Sequence, residues 1–452
     1  MVSPHLHDLT ALDRDVALGW TAVSRWRHAL VHDGEEVDAE PLQSVRHIAG
    51  KSTFEALADF AASASDLPLR DALKRWVFAL LLARIGREDE VAWARAASEK
   101  GAHYRGNSPR SASWRDAWRG VVSARTTNDA SQWLDAAAQS GPRLAGVARA
   151  RSSRRLEVGR RMGFAHPWDA VTPVRHVRLR QLASQLLDVT EDLFLATWRG
   201  ELEGRTGAAR VLHAAVARDA GEGWPARLTS QWLRDTVGPM TGGRAIDLPP
   251  LPRALGASSF MRALRSFGYA LRVSAAPRSM PFALARDPSF VSEHRLGFVI
   301  AMLALDPQWQ ARTLGVGARV AHTQCRVLAR TALLDIRLQA MRVLLGDDAE
   351  LAPRADFDEL GVRLFFAPLD ARLRGAWPTA REDEPGRLVA LLQSRGFADR
   401  LRDTFDVDWY RNPRAWSHLD GLAAVPENEP ADGDTLEGQI AACLRFFEGL
   451  LG

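Results

Sequence analysis

Cysteine and lysine are nearly missing from this chain of 452 residues. Its two cysteines, Cys325 and Cys443, cannot staple so long a chain, so the fold has to rest on a hydrophobic core, and a reducing cytoplasm suits it. Lysine occurs only at Lys51, Lys74 and Lys100. The other basic residues are all arginine, a composition typical of bacterial, GC-rich coding rather than of a nucleic-acid partner. A net charge of +4 on a body this large gives little long-range steering, which also argues against nucleic acid. Long apolar runs are absent too. The longest, Leu296 to Leu305, is too short to span a bilayer. The opening MVSPHLHDLT has neither the basic start nor the apolar stretch of a secretory signal. Both absences point to a cytoplasmic protein with no membrane partner. Phosphate-cradling glycine loops, a Gly-x-Ser-x-Gly elbow and zinc-finger cysteine spacing are missing as well.

What remains is ordinary globular composition, with 46% hydrophobic and 25% charged residues, carried on helical periodicity. In Leu67 to Ile85, Leu69, Leu73, Val77 and Leu80 share one face. Trp76, Trp93, Trp114, Trp118 and Trp133 recur at positions suited to packing helix against helix. Alternating strand patterns are scarce, the best being Ala245 to Leu251. An all-α body with at most a small β-sheet is therefore expected. Turn formers gather at Gly101 to Ser113, Gly238 to Pro252 and Ala424 to Gly433. The third cluster opens a linker with a C-terminal docking helix over 426–452. A long helix is predicted from Leu314 to Leu345, stopping at Gly346. On it Arg319, Arg326, Arg330 and Arg337 align on one face, read as solvated or salt-bridged, with His322 near the stripe.

The most informative segment is Ser258 to Arg272, SSFMRALRSFGYALR. It reads as an amphipathic helix with Ser258 or Ser259 as N-cap and Phe260, Leu264, Phe267 and Leu271 buried. Its stretch Arg265-Ser266-Phe267-Gly268-Tyr269-Ala270-Leu271-Arg272 also resembles the motif helix of the zinc oligopeptidase family typified by thimet oligopeptidase and oligoendopeptidase F. That family carries His-Glu-Phe-Gly-His-Ala-Leu-His. The framework letters match and the chemical letters do not. Two histidines four apart on a helix grip one zinc ion, and the glutamate between them is general base on the bound water. Here Arg265 has no lone pair to offer, Ser266 takes no proton at neutral pH, and Tyr269 is a phenol with an ordinary pKa near ~10.

The resemblance covers roughly Arg154 to Leu422. Arg154 to Val171 and Leu401 to Leu419 resemble flanking family segments. It implies a two-lobed helical body with a central cleft, split into a helical lobe over 1–150 and a larger helical domain over 151–425. It also implies a third ligand position on the next helix, where Val291-Ser292-Glu293 resembles the family segment and His294 is the alternative register. The tyrosines and histidine that hold the tetrahedral intermediate in active members have no counterpart in Ala367 to Gln393. The expectation is thus a non-catalytic, zinc-free peptidase-like protein that binds peptide or protein in its cleft. Arg265, Tyr269, Glu293 and His294 would face the ligand, with Arg265 paired to Glu293 in place of the metal and favouring acidic groups or C-terminal carboxylates. Two other readings stand beside it. One is a working metallo-oligopeptidase with displaced ligands such as Glu293, His294 and His322. The other is an arginine-rich nucleic-acid binder. The partner's identity and the oligomeric state are left open.

Overall fold

A computed structural model of the chain describes residues 8–32, 45–106, 108–200, 202, 207–216, 231–232, 235, 246, 257–346, 352–378, 382–423 and 433–452. Helices dominate. Leu67–Ile85 illustrates the local logic. Pro68 opens the helix, Gly86 closes it, and Leu73, Trp76, Val77 and Leu80 are buried. Trp76 is fully enclosed, and Trp93 and Trp114 meet edge to face at 5.1 Å, so these indoles pack helix against helix.

Among the described residues there is one sheet, a two-stranded antiparallel hairpin of Ala102–Tyr104 and Arg110–Ala112. It occupies the segment read as a turn boundary. Ser113 follows it and caps Trp114–Ser123 in a reciprocal box with Asp116. The strand expected at Ala245 to Leu251 lies outside the described residues except for Ile246, which is buried.

The helices form two main cores that interleave along the chain. The smaller gathers Leu9–His32, Lys51–Asp59 and Leu67–Ile85, with Val158, Val171, Ala283 and Phe290 added from later segments. The larger runs from Ala102 to Phe447. Packing therefore crosses the division at residue 150 in both directions.

Four helices of the larger core frame the site. The motif helix, Ala257–Ala275, packs along the crossing helix, Val291–Met302. The crossing helix packs in turn on the flanking helix, Glu384–Phe405. The long helix, Ala318–Leu345, closes another side. It is shorter than expected. Asp306 caps a separate helix, Pro307–Leu314, and Gly315, at φ +70°, breaks the chain before the long helix begins. The arginine stripe is solvated at one end only, and at the other it is buried. Arg319 and Arg326 are exposed, but Arg330 and Arg337 are buried. The Arg337 guanidinium donates to the carbonyl oxygens of Leu187 (2.8 Å) and Arg363 (2.9 Å) and to Thr190 Oγ1 (2.7 Å), and pairs with Glu191. The C-terminal helix, Gly433–Leu451, docks on the body through Leu436, Ile440 and Phe447. No helix among the described residues is long and apolar enough to cross a membrane.

Candidate functional site

The motif helix begins at Ala257, so Ser258 and Ser259 lie inside its first turn rather than at its cap. Phe260, Leu264, Phe267 and Leu271 are buried as its apolar spacing requires. Gly268 sets its approach to the crossing helix. A Cβ there would come within 2.7 Å of the Leu296 carbonyl oxygen, and one on Gly297 within 2.8 Å of the Arg265 carbonyl oxygen. With the backbones this close, one stripe of each helix is turned to a cavity of about 950 Å³. Arg262, Arg265, Ser266 and Tyr269 line it from the motif helix, and His294 and Phe298 from the crossing helix. The spacing of three and four is that of one helical face. The long helix adds Asp335, Gln339 and Arg342, and the flanking helix with its preceding turn adds Asp383, Glu384 and Arg387. The cavity lies at the seam of the two cores. Tyr269 packs on the smaller one, and Phe298 belongs to the larger.

Arg286, on the loop between the motif and crossing helices, also lines the cavity. The smaller core holds that loop in place: Trp76 Nε1 donates to the Arg286 carbonyl oxygen at 2.8 Å, and Asp13 accepts from the backbone N–H groups of Phe282 and Ala283, both at 2.8 Å. Arg286 Nη2 donates to the Tyr269 hydroxyl at 3.3 Å, and its Nε lies 3.5 Å from Glu293 Oε1.

The expected Arg265–Glu293 pair is not formed. Glu293, 1% exposed, faces Arg286 and accepts from Ser292 Oγ at 3.1 Å, and it is not a cavity wall. Arg265 instead lies over the Phe298 ring at 5.4 Å. It has no ion pair among the described residues, and its electrostatic surroundings are Asp335 and the arginines 387, 262 and 342. The reason is helical phase. Adjacent residues point roughly 100° apart, so with the crossing helix seated at Gly297, His294 turns to the cavity and Glu293 away from it.

The charges at the wall are shifted by their surroundings. Burial first, then Arg387, brings the Arg265 guanidinium down to about 9, still cationic at neutral pH. Burial and the nearby Glu293 carboxylate push the Tyr269 phenol above its usual range, so it stays neutral. Burial lowers His294, opposed by its contact with Asp383, 3.0 Å from Nε2 to Oδ2. Glu384 is held by Arg342 at 3.0 Å and Arg387 at 3.4 Å.

This donor set does not fit a zinc site. Arg265, Ser266 and Tyr269 supply neither an imidazole nor a carboxylate, which leaves His294 the one imidazole among the described residues of the wall. His322 is exposed on the long helix and is not a cavity wall, so Glu293, His294 and His322 do not converge. No group of three or more His, Cys, Asp or Glu suited to a metal occurs among the described residues. The charged wall residues that sequence reasoning missed are Arg262, Arg286, Asp335, Arg342, Asp383, Glu384 and Arg387. The cluster Glu382-Asp383-Glu384-Pro385-Gly386-Arg387 carried a signal in its density of charge beside a helix-opening proline.

No known family profile matches the chain, and no curated protein matches it. Among solved structures, it resembles that of a candidate peptidase from Chlamydophila abortus, with a TM-score of 0.52 and 11% identity over 100% of this chain and 94% of the other. At this identity the likeness establishes a shared fold, that of a protein described as a peptidase.

Proposed function

We propose that this chain is a zinc-free, non-hydrolysing relative of the oligopeptidases that binds peptide or protein segments in its cleft. One observation carries the proposal. On the cavity wall where a metallopeptidase needs two imidazoles and a general base, the chain presents Arg265, Ser266 and Tyr269. The shared fold supports the peptidase side of the reading, because a cavity of about 950 Å³ accommodates several residues of an extended chain. The excess of arginine over carboxylate on its walls supports an anionic or carboxylate-bearing ligand. Both cysteines are buried thiols, in keeping with a reducing cytoplasm as the proposed setting.

Elemental analysis of the purified protein, run beside an assay with internally quenched fluorogenic peptides, tests the reading. The expected result is zinc far below one equivalent, no turnover, and saturable binding of the peptides. Stoichiometric zinc with chelator-sensitive hydrolysis would overturn it.

A further inference from the structure

The cavity has a side chamber. A smaller space of about 60 Å³ shares Arg262, Arg265, Phe298, Asp335 and Ile336 with it. Its other walls are apolar, including Met261, Met302, Leu305 and Leu391, with Phe446 and Phe447 from the C-terminal helix. A single water needs ~10–15 Å³ of such space, so the chamber holds on the order of four to six heavy atoms. That is a leucine or methionine side chain and not an indole.

The charges at the junction of the two spaces do not balance. Of the arginines on the main cavity, Arg342 and Arg387 are taken up by Glu384, and Arg286 by Glu293 and Tyr269. Asp383 is hydrogen-bonded to His294 and does not line the side chamber. Arg262, Arg265 and Asp335 are left at the junction, none of them in an ion pair among the described residues. Two cations thus face one carboxylate beside an apolar chamber.

We propose that this junction binds the free C-terminus of a peptide whose last side chain is apolar. The α-carboxylate lies against Arg265, with Arg262 beside it. The last amide N–H donates to Asp335, and the last side chain fills the chamber. A guanidinium suits a carboxylate because its N–H groups match both oxygens. A neutral amide in the same place leaves the surplus cation uncompensated. The proposal rests on the reading of the cleft as a peptide-binding site and adds which end of the peptide is read and which residue ends it.

Fluorescence anisotropy with N-terminally labelled peptide pools tests it. The pools are degenerate except for the last residue, which is Leu, Gly, Lys or Glu, and each is made as free acid and as C-terminal amide. The leucine acid pool should bind about tenfold tighter or more than the leucine amide, and also tighter than the other acids. Arg265→Gln should erase the acid-over-amide preference while the circular dichroism spectrum stays that of the parent. Equal binding of acid and amide, or no preference for leucine, overturns the proposal and leaves peptide binding in the cleft standing. Free leucine binding as tightly as the leucine acid pool also overturns it, since the ligand would then be an amino acid. Binding of no pool overturns both. Cleavage of the pools overturns the non-hydrolysing reading alone.

Discussion

Gly268 and Gly297 meet where the motif helix crosses its neighbour, and neither position has room for a methyl group. A Cβ on Gly268 would stand 2.7 Å from the Leu296 carbonyl oxygen and 2.9 Å from the Gly297 Cα. These are backbone atoms, which cannot swing aside as a side-chain tip can. Alanine favours a helix interior over glycine by roughly 1 kcal/mol. Overpacking typically costs ~1–3 kcal/mol, and here the whole helix would have to shift. With the shift placing the cost at the upper end of that range, Gly268→Ala and Gly297→Ala should each lower stability by up to about 2 kcal/mol net, read by urea unfolding. A gain in stability in either variant would show that the helices are not in backbone contact.

Arg265 is a cation the fold holds at a cost. Its folded pKa, about 9, lies below the ordinary guanidinium value, with burial as the largest cause. A depressed value means that the charged form is disfavoured in the folded state. That penalty is fully present at neutral pH and eases only as the pH rises through the folded pKa. Arg265→Met keeps the length of the stem and removes the charge, at the loss of a contact with Phe298 worth about 0.5–1 kcal/mol. The expected outcome is a variant more stable than the parent at pH 7, by about 1–2 kcal/mol, that no longer distinguishes peptide acids from amides. A less stable variant would mean that the guanidinium supports the fold rather than a ligand.

His294 gives the pH dependence its sign. Burial lowers its pKa, against the pull of Asp383, so acid protonates this imidazole in the unfolded chain first. The stability that goes with the neutral ring is fully present above the ordinary value of ~6.5. It is lost as the pH falls from there through the folded pKa, at no more than about 1.4 kcal/mol per pH unit. His294→Gln keeps a hydrogen-bonding partner for Asp383 without a titrating group. Between pH 7 and pH 5 the melting temperature of the parent should fall more steeply than that of the variant. Parallel curves would place the titration elsewhere.

Sequence and structure agree where the signal is local. The repeat of Phe260, Leu264, Phe267 and Leu271 marks the motif helix because a side chain every three or four residues must face one core. The C-terminal helix is legible through Leu436, Ile440 and Phe447 for the same reason. The site is less legible because distant segments build it. Arg286 arrives on a loop fixed by Trp76 and Asp13, and Glu384 and Arg387 arrive on a helix more than a hundred residues downstream of Arg265. Burial of Arg337 was invisible for another reason. Its spacing on the long helix fits a charged face, while the carbonyl oxygens that satisfy it come from Leu187 and Arg363. The pairing of Arg265 with Glu293 failed on one residue of helical phase, which spacing alone does not fix.

That phase can be tested by building a metal site on the cavity wall. Arg265→His, Ser266→Glu and Tyr269→His together place two imidazoles four apart on the helix face that lines the cavity, with a carboxylate between them. A third donor is then needed, and the structure offers two adjacent candidates with opposite orientations. The His294 ring lies 5.1 Å from the Tyr269 ring, both on the cavity wall. Glu293 is 1% exposed, turned to Arg286, and would have to break that contact to reach the cavity. The triple variant should therefore take up close to one equivalent of zinc through His294, measured by elemental analysis after dialysis. Adding His294→Ala should weaken zinc binding by about 10–100-fold or more, while adding Glu293→Gln should leave it nearly unchanged. The reverse pattern would mean that the crossing helix sits one residue out of the register described, with Glu293 and not His294 on the cavity wall. Uptake of zinc with no hydrolysis is the expected behaviour of the triple variant, because Ala367 to Gln393 still lacks the tyrosine and histidine side chains that the family resemblance assigns to the tetrahedral intermediate.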